Sequence, residues 1–97
     1  MMDVVWLEEA VSDLKTIGDY IAEENKEAAY QVLIQIQAAA DSLAHHPEIG
    51  RPGRVKKTRE LVIPGLPYIL PYYINKNEVR ILAVLHTARK WPGDFSI

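Results

Sequence analysis

Two stretches of the chain concentrate side chains that can do chemistry. Gly50-Arg-Pro-Gly-Arg-Val-Lys-Lys-Thr-Arg59 places Arg51, Arg54, Lys56, Lys57 and Arg59 within nine residues. An arginine fork matches phosphate or carboxylate bidentately, and prolines limit the entropy lost when such a loop is fixed on a partner, so the stretch is a candidate anion-binding element. The alternative is a mobile, solvated loop whose Arg59 pairs with Glu60 or with an acid of the helices. Leu85-His-Thr-Ala-Arg-Lys-Trp-Pro92 is the second stretch. Its His86 can titrate near neutrality, Arg89 and Lys90 are fixed cations, and Trp91 offers an indole. Together they suit proton transfer, phosphate neutralisation and base stacking. The alternative has Trp91 packed over a sheet edge and His86 holding a backbone carbonyl at a strand terminus.

Other chemistries find less support. Glu8/Glu9 and Glu23/Glu24 are adjacent pairs, which a helix points in different directions, so no acid/base couple is formed. The chain has no cysteine, and His45, His46 and His86 are too few and scattered for a convincing metal site. No glycine-rich phosphate loop stands between a strand and a helix. The expectation is therefore no metal and no cofactor. No apolar run approaches the ~18 residues of a membrane span, and Met-Met-Asp-Val-Val-Trp lacks a basic region followed by an apolar stretch. A cytoplasmic location without membrane contact is expected.

The charge is unevenly distributed. Residues 1–50 carry two bases against ten acids, net −8, and residues 51–97 carry nine bases against three acids, net +6, within an overall charge of −2. One half should repel polyanions while the other attracts them.

These groups need elements to hold them. Over residues 7–21, Leu7, Val11, Leu14, Ile17 and Ile21 recur every three or four positions with charged residues between them, which predicts an amphipathic helix. Residues 23–25 form the connector. Ala28/Ala29, Val32, Ile36, Ala39/Ala40 and Leu43 predict a second helix reaching about His45, before Pro47. The alanines permit close approach in an antiparallel hairpin, with Ala38 to Ala40 near the contact. Residues 47–54 read as loop. Three strands follow over 58–63, 68–74 and 79–85, joined by Pro64-Gly-Leu-Pro67 and Asn75-Lys-Asn77 as antiparallel hairpins. Pro71 cannot donate to a ladder, so one side of its strand should be unpaired or bulged. Asp3-Val-Val-Trp6 supplies a short strand at the start. The expected fold is α+β, in the order β-α-α-β-β-β, as one domain over residues 1–97. The hairpins could bring both basic stretches to one side of the sheet, with the acidic helices facing away.

Ala10, Asp13, Leu14, Ile17 and Tyr20-Ile21, then His46-Pro-Glu-Ile-Gly-Arg-Pro-Gly-Arg54, Thr58-Arg-Glu-Leu61, Tyr68-Ile-Leu-Pro-Tyr72 and Leu85-His-Thr-Ala-Arg-Lys-Trp91, in this order and spacing, resemble the RelE/ParE superfamily of type II toxins. The resemblance runs nearly end to end. It implies a toxin neutralised by a cognate antitoxin encoded beside it, with operator DNA bound only through that antitoxin. ParE-like members poison DNA gyrase, whereas RelE-like members cut mRNA on the translating ribosome. RelE-like members place one arginine near the end of the strand here spanning 58–63 and another just after the last strand. This chain has Ile63-Pro64 and His86-Thr87 at those places, which favours the ParE-like branch. The implied target-binding residues are Arg51, Arg54, Lys56, Lys57, Arg59, His86, Arg89, Lys90 and Trp91. A ribonuclease would instead rely on Arg59, His86, Arg89 and Trp91. A third alternative is a non-toxic binding partner within its operon.

Overall fold

Leu7 marks the passage from the first strand into the first helix, and Glu8 and Glu9 put two carboxylates in its first turn, where the helix dipole favours negative charge. The computed structural model describes residues 1–87. Its elements are β1 (Asp3–Trp6), α1 (Glu8–Ala22), α2 (Lys26–Ser42), β2 (Arg51–Pro52), β3 (Arg59–Val62), β4 (Tyr68–Asn75), β5 (Glu78–Ile81) and β6 (Leu85–His86). The α+β class and the run of one strand, two helices and then strands are those expected, with five strands after the helices rather than three. Between the helices, Asn25 adopts an extended backbone and its side chain accepts from the Ala28 N–H at 2.9 Å, capping α2. The helices approach closely at Gly18 as well as at the expected alanines. Ala40 is fully buried but Ala38 is exposed, while a methyl on Gly18 would lie 3.0 Å from Leu33 Cδ1. A glycine adds nothing to an apolar periodicity, so the pattern passes over it.

The sheet runs β1-β5-β4-β3-β2, with β6 pairing β4 beyond the end of β5. Its centre is the expected antiparallel trio β3, β4 and β5. The edges add to it. β1 joins β5 in parallel, from Asp3 opposite Glu78 to Trp6 opposite Ile81, and residues 51–52, expected as loop, form β2 with Arg51 opposite Glu60.

The strand expected over 79–85 is interrupted, and Pro71 supplies the reason. Tyr72 pairs with Ile81 and Ile69 pairs with Leu85, so three residues, 82–84, face two, 70 and 71. This is a bulge. The Pro71 carbonyl accepts from Leu82 N–H at 2.9 Å, which places the proline's donorless nitrogen on the same side. The Val84 N–H turns instead to α1, donating to Asp13 Oδ2 at 3.0 Å. Removing that acceptor by Asp13→Ala is expected to cost about 1–3 kcal/mol, because the buried Val84 N–H loses its partner, and Asp13→Asn should recover most of it. Thermal denaturation of both variants checks this.

The core lies between the helices and one face of the sheet. Tyr68, Leu70 and Tyr72 of β4 and Val79 and Ile81 of β5 meet Ala10, Ile36, Ala40 and Leu43. Each fully buried Leu or Ile contributes about 1.5–3 kcal/mol. Ile69 and Pro71, which alternate with these on β4, are buried on the opposite face. No helix among the described residues is long and apolar enough to cross a membrane.

Candidate functional site

The basic stretch at 50–59 is an ordered structure built around one buried acid. Glu60 is only 4% exposed. Its Oε1 accepts from Arg51 Nε and from a terminal guanidinium nitrogen of Arg51, both at 2.9 Å, and its Oε2 accepts from the Arg54 backbone N–H at 3.3 Å. A buried carboxylate is costly unless its oxygens are satisfied, so Glu60 fixes both the arginine and the loop backbone. The loop closes on itself: Gly53 N–H donates to the Thr58 carbonyl at 2.8 Å and Thr58 N–H to the Val55 carbonyl at 3.0 Å. Lys57 takes a left-handed backbone with φ of 71°, a conformation costing an ordinary residue about 1–2 kcal/mol.

Arg59 does not pair with Glu60. Neighbouring residues of a strand point to opposite faces, and Arg59 lies opposite Tyr72 on the helix side, where its NH1 donates to the Gly50 carbonyl at 2.8 Å and the Glu48 carbonyl at 3.1 Å. The Tyr72 hydroxyl donates to the Pro47 carbonyl at 2.8 Å and accepts from Gly50 N–H at 2.9 Å. Burial pushes the Tyr72 phenol above its ordinary 10.0, while the Gly50 N–H and the Arg59 charge pull the other way. The segment leaving α2 is thus tied to β3 and β4. Arg51 is both anchored and outward, its side chain 57% exposed, and Arg54, Lys56 and Lys57 are exposed on the loop.

His86 sits elsewhere. It pairs with Tyr68 across β6 and β4, their rings edge to face at 5.5 Å, and it lines a cleft of about 210 Å³ with Asp13, Thr16, Ile17 and Tyr20 of α1. The bulge decides this placement. In an unbroken strand His86 would share the face of Arg80, but one extra residue at 82–84 turns it to the helix side with Tyr68. Arg51 and Glu60, in line with Pro71, occupy the other face. The expectation that both basic stretches share one side is therefore corrected for Arg51, while Arg59, opposite Tyr72, lies on the same face as His86. Arg51 and His86 are also offset by three residues along β4, Pro71 against Tyr68, about 10 Å. Arg89, Lys90 and Trp91 lie outside the described residues.

Arg80 joins Arg51 on the face away from the helices. It lies opposite Tyr73, stacks over that ring at 5.9 Å, donates to its hydroxyl at 3.2 Å and pairs with Glu78 at 2.9 Å. No group of three His, Cys, Asp or Glu placed to hold a metal ion occurs among the described residues. Glu60, Tyr72 and Asp13 are the organising residues that the sequence did not single out for this role. The bond from Tyr72 to Pro47 spans 25 residues, and no local spacing announces it.

A family model described as the ParE toxin of the type II toxin-antitoxin system parDE matches residues 4–91. The chain belongs to the ParE toxin family. Among relatives of this ParE-family toxin, Y4kP of Sinorhizobium fredii, a toxin candidate by name, is 46% identical over 87 residues, covering 90% of either chain. Toxin RelE2 of Caulobacter vibrioides is 38% identical over 89 residues, which cover 92% of this chain and 99% of that protein. A solved chain of the chromosomal ParDE system of P. aeruginosa superposes with a TM-score of 0.80 at 27% identity, covering 89% of this chain and 96% of that one. The family resemblance read from the motifs is met, and membership in a type II system gives the ParE-family toxin a cognate antitoxin as partner.

Proposed function

We propose that this toxin arrests growth by acting on DNA gyrase in the cytoplasm, and that its antitoxin prevents this. The observation that carries the reading is the use made of Arg59. A ribonuclease of this shape needs cations held around the scissile phosphate. The arginine of β3 is instead spent on the carbonyls of Glu48 and Gly50, and the strand continues into Ile63, only 2% exposed. The cations that remain outward, Arg51, Arg54, Lys56 and Lys57, suit gripping a large target, and Arg89, Lys90 and Trp91 are further candidate contacts on sequence grounds alone. Purified toxin is expected to inhibit supercoiling by gyrase and to trap cleaved plasmid. Gyrase left unaffected at micromolar toxin would exclude the reading.

Cleavage of mRNA on the ribosome is the second reading, favoured by the 38% identity to toxin RelE2 and by a histidine at a strand end, set edge to face with Tyr68. It requires cuts in ribosome-bound mRNA when toxin is added to a translating extract. Under the gyrase reading, growth arrest proceeds without any change in RNA integrity, and toxicity left intact by His86→Ala combined with Arg89→Ala would show that these two residues are not a catalytic set. A toxin that meets neither target and does not slow growth would be a binding partner only.

A further inference from the structure

We propose that the loop closed by Gly53 and Thr58 is a prebuilt clamp for the phosphates of duplex DNA, so that on gyrase it touches the bound DNA rather than the enzyme's protein surface. This deepens the gyrase reading but is testable without it.

Three observations carry it. First, the cations are held before any partner arrives. The Glu60 carboxylate fixes the Arg51 guanidinium and the Arg54 backbone, and the bonds of Gly53 and Thr58 close the loop between them. A preformed site loses less entropy on binding than a mobile one. Second, the chemistry is that of phosphate contact. Between Gly50 and Arg59 the one large apolar side chain is Val55, and there is no aromatic. Protein hot spots are built on aromatic and apolar anchors, whereas sequence-independent DNA contact needs only cations and backbone donors. Third, the approach is open. The register turns Arg51 and Arg80 to the face away from α1 and α2, so a polyanion arriving there avoids most of the −8 carried by residues 1–50. Duplex DNA, with a charge every ~1.7 Å of axis, rewards such a cluster more than any other polyanion gyrase carries.

The test is fluorescence anisotropy of the full-length toxin, freed of antitoxin, titrated into a labelled random-sequence duplex. Four phosphate contacts predict a log–log salt slope of about −3.6, hence roughly a hundredfold loss of affinity between 50 and 200 mM salt. Lys56→Gln with Lys57→Gln should flatten the slope to about −1.8, leaving about a tenfold loss over the same range. Both side chains are exposed, so the melting temperature should not change. Absence of binding at 50 mM salt, an unchanged slope in the double variant, or tighter binding to a single-stranded RNA of equal length would each overturn the proposal. Duplex binding without gyrase inhibition would defeat the gyrase reading and leave the clamp standing. Inhibition without duplex binding would do the reverse.

Discussion

Tyr72→Ala is expected to lower the toxin's melting temperature by roughly 12–40 °C. Tyr72 is fully buried against the helices. Truncating a buried aromatic costs about 3–5 kcal/mol, out of a total stability of about 5–15 kcal/mol for a domain of this size. The hydroxyl adds a separate contribution that Tyr72→Phe isolates. Phenylalanine keeps the ring in the core but strands the Gly50 N–H and the Pro47 carbonyl, a loss of about 1–3 kcal/mol. Each kcal/mol lowers the melting temperature by roughly 4–8 °C. The phenylalanine variant should also lose a pH dependence. Because the Tyr72 phenol is raised above its ordinary 10.0 in the fold, the unfolded chain gives up that proton first as pH rises. The folded state then binds more protons than the unfolded one, so the contribution of Tyr72 is whole below pH 10 and is lost as pH climbs beyond it. Melting curves of wild type and Tyr72→Phe across this range should converge as the pH increases. Parallel curves, or an unchanged melting temperature at neutral pH, would show that the hydroxyl does not anchor the segment.

Gly53→Ala is expected to open the basic loop while leaving the helices and central sheet formed. The new methyl would collide with Thr58 Oγ1 and sit 3.0 Å from both the carbonyl carbon and the oxygen of Thr58. Rotating Thr58 away relieves only the first contact and breaks the hydroxyl's own bond to the Val55 carbonyl. The backbone contacts remain, so the closure between Gly53 and Thr58 must give. Overpacking of this kind costs about 1–3 kcal/mol, but the functional loss should be larger than the stability loss suggests. Arg51, Arg54, Lys56 and Lys57 would no longer be held in one arrangement. Gly65→Ala is the appropriate control: Gly65 has φ of 76° but nothing within 4 Å, so its substitution strains the backbone by about 1–2 kcal/mol without touching the loop. Growth arrest at matched expression should be weakened in Gly53→Ala and retained in Gly65→Ala. Equal behaviour of the two would mean that loop order does not matter to activity.

The Tyr72 effect arises from bonds that span 22 and 25 residues, which marks the boundary of what the chain reveals when read as a string. The helices are legible because Leu14, Ile17 and Ile21, or Val32, Ile36 and Leu43, repeat a local period. The disturbance at Pro71 is legible because a missing N–H is a property of one residue. What that disturbance does to His86 is not. A side chain's face depends on counting residues from a paired neighbour, and the extra residue within 82–84 reverses the count. The cluster at 51–59 was visible as charge. Its scaffold was hidden because Glu60 looks like one more surface acid until Arg51 is found opposite it, and Arg59 looks like one more cation until the carbonyls of Glu48 and Gly50 are found beneath it. For the same reason a short run such as Asp3-Val-Val-Trp6 discloses that it is a strand but not that its neighbour is β5.

That neighbour sets an order in time. β1 leaves the ribosome before the other described elements, yet its parallel partner begins at Glu78, among the last of them to be made. Until β4 and β5 are made, the helix hairpin that follows β1 lacks most of the sheet against which Ile36 and Leu43 are buried. Contacts this far apart form slowly and late. During synthesis the chain therefore passes through a long interval in which its acidic half exists without its basic half, and the strand made first waits longest for its place.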